Sequence, residues 1–183
     1  MRKAQYLLGL ALLVAAFLYL LPALQAADEP VPDSPEVSEL LTQAKTRAVQ
    51  LRNDAEVMKS FSLSGVSWES HADQLNLIKE HINALGNVLQ QMSDQRHLAS
   101  PWQQAAIDRI TPLAAELASN VETTIEHLTN NRNRLQTPQY RDYLTSNADV
   151  ANSLSALISD YVSYGKSKAN YQKLGSELEE PGR

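Results

Sequence analysis

The stretch that decides the fold is Ser67 to Met92, SWESHADQLNLIKEHINALGNVLQQM. Steps of three and four residues along it select Trp68, His71, Leu75, Ile78, Ile82, Leu85, Leu89 and Met92. This spacing puts the selected side chains on one face of an α-helix. The residues between them are mostly Glu, Asp, Gln, Asn and Lys, which suit a face in water. The stretch therefore predicts a helix whose apolar face, interrupted by one histidine, lies in a bundle core.

Three other segments carry helix-start signals followed by apolar residues at the same spacing. Ser34-Pro35 and Thr137-Pro138 each place a capping oxygen before a proline, which needs no amide partner in the first turn. Ser100-Pro101-Trp102-Gln103 adds a capping box to that signal. Pro112 falls inside the third segment, so we expect a kink between residues 108 and 112 rather than two helices.

These segments predict an all-α protein, an antiparallel up-down-up-down four-helix bundle over residues 34–174. Residues 28–33 form a polar linker before it, and residues 175–183 are predicted to be a disordered tail, because Gly165 and Gly175 weaken the last helix. An alternative is a helical hairpin that completes its core by forming a homodimer. The residues expected to be buried are Leu51, Leu75, Ile78, Ile82, Leu85, Leu117, Val121, Leu154 and Ile158.

The first 27 residues resemble a targeting segment and not part of the bundle. Arg2 and Lys3 precede an apolar run over residues 6–24, and small residues at 26 and 27 suit a signal peptidase. The sequence therefore predicts a cleaved signal peptide and an exported protein, periplasmic or extracellular. The alternative is an uncleaved membrane anchor over residues 6–24, with the bundle outside the cytoplasm and no other membrane contact.

Composition excludes several classes of function. The chain has no cysteine, which excludes disulfides, thiolate metal sites, lipoprotein anchoring and cysteine nucleophiles. It has 21 acidic and 16 basic residues, and cleavage of the leader would remove two of the basic ones. Because an acidic surface repels nucleic acid, we expect no nucleic-acid partner.

No pattern in the chain indicates catalysis or a resident metal. Gly-x-Ser-x-Gly elbows, phosphate loops and dinucleotide fingerprints are missing from the sequence. None of the four histidines has a glutamate three residues before it, the spacing that di-metal bundles use. We therefore expect a protein that is not an enzyme and that needs no cofactor.

Three polar residues interrupt the apolar faces at one height. Residues equally distant from the turn of a helical hairpin lie at the same level, and this rule brings together His71, Thr124 and Asn147. We interpret them as a polar core layer that sets the register of the helices. The alternative is a small-ligand or metal/haem pocket near His71.

The third and fourth helices are predicted to extend beyond the first two by about two turns, ~10 Å. This overhang, residues 128–143, contains Arg132, Arg134, Tyr140, Arg141 and Tyr143. Arginine and tyrosine are common in binding hot spots, so these five residues form a candidate partner-binding tip. The alternative is a solvated helix end whose arginines complement the helix dipole.

Taken together, these patterns predict an exported, non-enzymatic helical-bundle protein of the cell envelope. It would act through protein–protein interaction or as a structural or adaptor module, with a protein partner of unknown identity. A bundle that binds a small ligand, a metal or haem near His71 is the alternative function.

Overall fold

The computed structural model describes residues 31–179, and this part of the chain contains helices and no strand. The helices are α1 (Pro35–Phe61), α2 (Trp68–Asp94), α3 (Pro101–Asn130) and α4 (Pro138–Glu179). A single 3₁₀ turn, Arg96–Leu98, connects α2 to α3. The all-α class and the four helices are confirmed. The predicted leader, residues 1–27, and most of the linker lie outside the described residues.

Each helix packs against its neighbours in the chain, and α1 also packs against α4. Lys59 near the end of α1 forms an ion pair with Asp149 near the start of α4. Asp33 just before α1 forms an ion pair with Lys168, far along α4. These two pairs show that α1 and α4 run antiparallel.

The predicted helix starts are confirmed by their hydrogen bonds. The hydroxyl oxygen of Ser34 accepts a hydrogen bond from the Val37 amide at 3.3 Å, and Ser67 caps α2 in the same way through the Ser70 amide. At α3 the Ser100 amide donates to Gln103 Oε1 at 3.0 Å, which is half of the predicted capping box. Pro112 lies within α3, which continues without interruption past it.

The core contains the predicted apolar residues with one exception. Of the nine residues expected to be buried, Leu51, Leu75, Ile78, Leu85, Leu117, Val121, Leu154 and Ile158 are fully covered. The prediction for Ile82 is wrong, because this side chain is only partly buried. It lies where small residues leave a hollow between α2 and α3.

The last helix differs from the expected one. α4 continues through Gly165 and Gly175 to Glu179, where a disordered tail was predicted from residue 175. Gly165 has a packing role, since a Cβ atom there would lie 2.8 Å from ring carbon Cη2 of Trp102. The Trp102 indole Nε1 in turn donates to Asp33 Oδ1 at 2.6 Å. The missing side chain therefore makes room for a tryptophan that fixes the entry into α1.

The same carboxylate accepts a hydrogen bond from Lys168 Nζ at 2.6 Å. Burial raises the pKa of Asp33, but the hydrogen bonds from Lys168 and Trp102 outweigh this effect and hold the pKa below its usual value. Asp33 is therefore ionised at neutral pH and ties the start of α1 to both α3 and α4.

Over residues 31–179, no helix combines the length and the apolar character needed to cross a membrane. The apolar run at residues 6–24 lies outside this range.

Candidate functional site

A groove runs between α2 and α3 along most of their length, and we call it the α2–α3 groove. It consists of three adjoining depressions with volumes of about 460, 200 and 170 Å³. On the α3 side their walls are residues 111–118, 118–125 and 125–132, the last of which passes the end of α3 at Asn130. Ala118 and Ile125 each separate two depressions. Each wall spans eight residues, or about two helical turns.

Small residues explain why the groove is open. Gly86 on α2 faces Ala114 and Ala118 on α3 in the largest depression. A Cβ atom at Gly86 would meet no other atom within 4 Å, so the two helix surfaces do not close here. Ile82 on α2 and Ile125 on α3 are left only partly buried as a result.

The α2 rim of the groove is rich in side-chain amides. Asn76, Asn83, Asn87 and Gln90 line it, and all four are exposed. These neutral groups can donate and accept hydrogen bonds without excluding a partner by charge. Lys79 and Glu122 add one charge of each sign at the middle depression. The groove therefore has an apolar floor and a polar rim, as interaction surfaces commonly do.

The groove ends at a tryptophan–arginine pair. The Arg132 guanidinium lies over the Trp68 ring, with its central carbon 4.3 Å from the ring centroid. This is cation–π geometry. Both residues line the smallest depression, so the groove leads directly into the predicted partner-binding tip.

The structure divides the predicted tip into surface and core residues. Arg132, Arg134 and Arg141 are exposed, as a partner-binding surface requires. Tyr143 is partly buried, and its ring meets His127 edge-on with centroids 5.2 Å apart. Placing Tyr140 in an exposed tip was wrong, because its side chain is fully buried. The helical period turns residue 140 inward, toward α2 and α3.

The predicted polar layer divides into two pairs. Asn147 Nδ2 donates to Thr124 Oγ1 at 2.9 Å, and the Thr124 hydroxyl donates to the Asn120 carbonyl at 2.7 Å. His71 instead pairs with Tyr140, with 3.0 Å between Nδ1 and the phenolic oxygen. His71, Thr124 and Asn147 are all buried, as expected. The sequence pattern thus found the buried polar residues but missed the partner of His71.

Aromatic rings surround the His71–Tyr140 pair. Phe61 meets the His71 ring edge-on at 5.3 Å between centroids, and His127 stacks on Tyr140 at 5.5 Å. Burial lowers the pKa of His71 and raises the pKa of Tyr140, so both groups are neutral near pH 7. His71 Nε2 has no hydrogen-bond partner in the described structure.

Little favours a metal or ligand at this position. Within residues 31–179, no group of three or more His, Asp or Glu side chains could hold a metal ion. None of the three groove depressions is lined by His71. The hydrogen bonds within the two pairs support a role in packing and register.

Because His71 is buried, we expect the folded protein to lose stability in acid. The unfolded chain takes up a proton near pH 6.5, but folded His71 resists protonation because its pKa is lowered. The free energy of unfolding should therefore fall as the pH drops below about 6.5, by up to ~1.4 kcal/mol per pH unit from this group.

Urea unfolding between pH 7.5 and 5 measures this effect, and His71→Leu should flatten the profile. His97, which is exposed, provides the control His97→Leu. Identical pH profiles for wild type and His71→Leu would show that His71 titrates normally in the folded protein.

Comparison with known families gives a match to part of the chain. Residues 71–147 match the family model described as "Elongation factor G-binding protein, N-terminal". The matched segment is less than half of the chain and comprises most of α2, all of α3 and the start of α4. The predicted protein-interaction role fits this similarity. Neither the curated proteins nor the solved structures contain a match to this chain.

Proposed function

We propose that this protein acts by binding a protein partner through the α2–α3 groove and the adjoining tip, and that the partner is elongation factor G. The observation that carries the proposal is the position of the family match. Residues 71–147 include every α2 and α3 residue that lines the groove except Trp68. The similarity thus coincides with the α2–α3 seam.

The composition of the groove supports a partner surface. Ile82 and Ile125 keep part of their apolar area in water, and covering it would contribute about 25 cal/mol per Å². Tryptophan and arginine dominate binding hot spots, and Trp68 and Arg132 stand together where the groove ends. A partner seated there would cover both.

The tip adds a local positive charge. Arg132, Arg134 and Arg141 are exposed on a protein whose net charge is −5. Charges on the rim of an interface mainly steer the approach of the partner and set its orientation. We therefore assign apolar contact to the groove and orientation to the arginines.

Calorimetric titration of the full-length chain with purified elongation factor G from the same organism tests the proposal. Wild type should bind with one-to-one stoichiometry. The double variant Arg132→Glu/Arg134→Glu should bind at least tenfold more weakly, a difference of about 1.4 kcal/mol. Its free energy of unfolding should fall by no more than about 1 kcal/mol, the usual worth of an exposed cation–π contact such as that of Arg132 with Trp68.

Arg47→Glu/Arg109→Glu is the matched control, because it makes the same charge change at two exposed arginines that line none of the three depressions. It should bind as wild type does. If wild type releases or absorbs no heat on titration, elongation factor G is not the partner. If the control loses as much affinity as the double variant, the loss is due to the change in net charge and not to the tip.

A second candidate function comes from the N-terminal sequence. The apolar run over residues 6–24 favours an exported or anchored envelope protein that binds another partner. An exported chain would not meet a translation factor, so the two functions are alternatives.

N-terminal sequencing of chains recovered from separated cell fractions distinguishes the two functions. A chain beginning near Ala27 or Asp28 in the envelope would support export, and an intact chain in membranes would support the anchor. An intact chain that fractionates with ribosomes would support binding to elongation factor G.

A further inference from the structure

The charge of the α2–α3 groove changes along its length. None of the residues that line the largest depression is charged. The middle depression adds Lys79 and Glu122, whose charges balance, and the smallest one adds Arg132 alone. Arg134, also exposed, follows on the tip. The groove is therefore neutral at one end and cationic at the other.

Side-chain amides recur along the α2 rim in step with the depressions. Asn76 borders the smallest depression, Asn83 the middle and largest ones, and Gln90 the largest one. These three exposed residues follow one another at intervals of seven, about 10.5 Å along a helix. The hollows on the α3 side begin at residues 111, 118 and 125, at the same interval. An apolar hollow and a rim amide are thus offered together about every 10.5 Å.

This interval restricts the conformation of a bound segment. An extended strand places side chains on one face about every 6.6 Å, so its side chains would fall out of step with the hollows. Over residues 31–179 there is no strand, and a bound strand would find no sheet edge to pair with. A polyproline helix repeats about every 9.3 Å, which is closer, but the grooves that bind it are lined by aromatic rings. Trp68 is the only aromatic residue that lines the three depressions.

An α-helix fits both the interval and the width. Its residues i, i+7 and i+14 point to one side about 10.5 Å apart, which matches the three hollows. Small residues in the largest depression, Gly86, Ala114 and Ala118, permit a third helix axis to come close to α2 and α3. The partly buried Ile82 and Ile125 would then be covered.

We propose that the α2–α3 groove binds a single amphipathic surface helix of elongation factor G, neutral at one end and acidic at the end that meets Arg132. This inference rests on the proposed function for the identity of the partner. It adds the conformation of the docked segment, which spans at least fifteen residues, and the way it lies. The interval specifies a helix, and the charge gradient specifies which end of that helix reaches the tip.

Site-specific photocrosslinking of the full-length chain to purified elongation factor G from the same organism tests the proposal. A photoreactive diazirine amino acid replaces Asn76, Asn83 or Gln90, one position at a time, and mass spectrometry identifies the captured residue of elongation factor G. All three positions are exposed, so the replacements remove no core side chain. The captured sites should lie on one helix, in order and about seven residues apart. Gln50, an exposed amide on α1 that lines none of the three depressions, is the control position and should capture nothing.

A charge exchange tests which end of the helix reaches the tip. Asn76 and Arg132 line the same depression, so an acidic residue of elongation factor G should lie within one turn of the site captured from position 76. Arg132→Glu should weaken binding about tenfold. Replacement of that acidic residue by lysine in elongation factor G should restore most of the affinity for Arg132→Glu. No acidic residue at this site, or no recovery, would contradict the proposed arrangement.

The spacing of the captured sites separates this inference from the proposed function. Sites about three residues apart would show an extended segment, and sites scattered over several segments would show that no single helix fills the groove. Either result would overturn the helix and leave elongation factor G as the partner. Absence of binding in the calorimetric titration, or binding without capture from any of the three rim positions, would overturn the groove as the site of elongation factor G and the helix with it.

Discussion

Replacement of Tyr140 by alanine should lower the free energy of unfolding by about 3–5 kcal/mol, the usual cost of removing a buried aromatic ring. Tyr140 is fully buried, contacts the rings of His71 and His127, and binds His71 through its hydroxyl. Its removal would leave a cavity and also deprive His71 Nδ1 of its partner. This is the largest single effect that we expect.

Tyr140→Phe separates the ring from the hydroxyl. It retains the packing and leaves His71 Nδ1 unpaired, so it should cost about 1–3 kcal/mol. Urea unfolding followed by circular dichroism measures both variants, with Tyr171→Ala, at an 80% exposed residue, as the control. A loss below 1 kcal/mol in Tyr140→Ala would show that the ring is not part of the core.

The second large effect distinguishes two isoleucines one turn apart on α2. Ile78→Ala should cost about 2–5 kcal/mol, because Ile78 is fully buried. Ile82→Ala should cost only about 1–2 kcal/mol, because part of that side chain already lies in the groove. The same unfolding assay compares the two, and equal losses would mean that the groove is closed in solution.

The sequence predicted the helices well because their signals are local. The caps at Ser34, Ser67 and Ser100 depend on residues within one turn, so they can be recognised without knowledge of the fold. Eight of the nine residues that the apolar spacing placed in the core are buried. Ile82 was the exception, because its exposure depends on Gly86, Ala114 and Ala118, which the spacing of large residues ignores.

Contacts between distant segments could not be predicted in the same way. The sequence identified the Gln103 side chain only as part of a local capping box. In the structure its Nε2 also donates to the Ser34 carbonyl at 2.8 Å and to Ser38 Oγ at 2.9 Å. The sequence predicted that Gly165 weakens the helix, but in the structure its missing side chain leaves room for the Trp102 ring. Both roles depend on which helix lies opposite, and that is a property of the tertiary structure.

The candidate site was also predicted only in part, because local sequence does not show which helix faces lie opposite each other. Exposed arginines at the tip were predicted from composition and position. Tyr140 was misplaced although it lies on the apolar spacing of α4, four residues before Leu144 and seven before Asn147. The groove was not predicted, since an open seam between two amphipathic helices leaves no motif. Small residues at positions 86, 114, 115 and 118 were the available signal.

The central claim is that the α2–α3 groove is where the protein partner binds, and one comparison tests it most directly. Ala118 lies between the two larger depressions, and Ala118→Gln would fill them without removing a core side chain. Ala156→Gln makes the same change at an exposed position on α4 that borders none of the three depressions. Titration of both full-length variants with elongation factor G should show at least a tenfold loss of affinity for Ala118→Gln and wild-type affinity for Ala156→Gln. Wild-type affinity in both would contradict the claim.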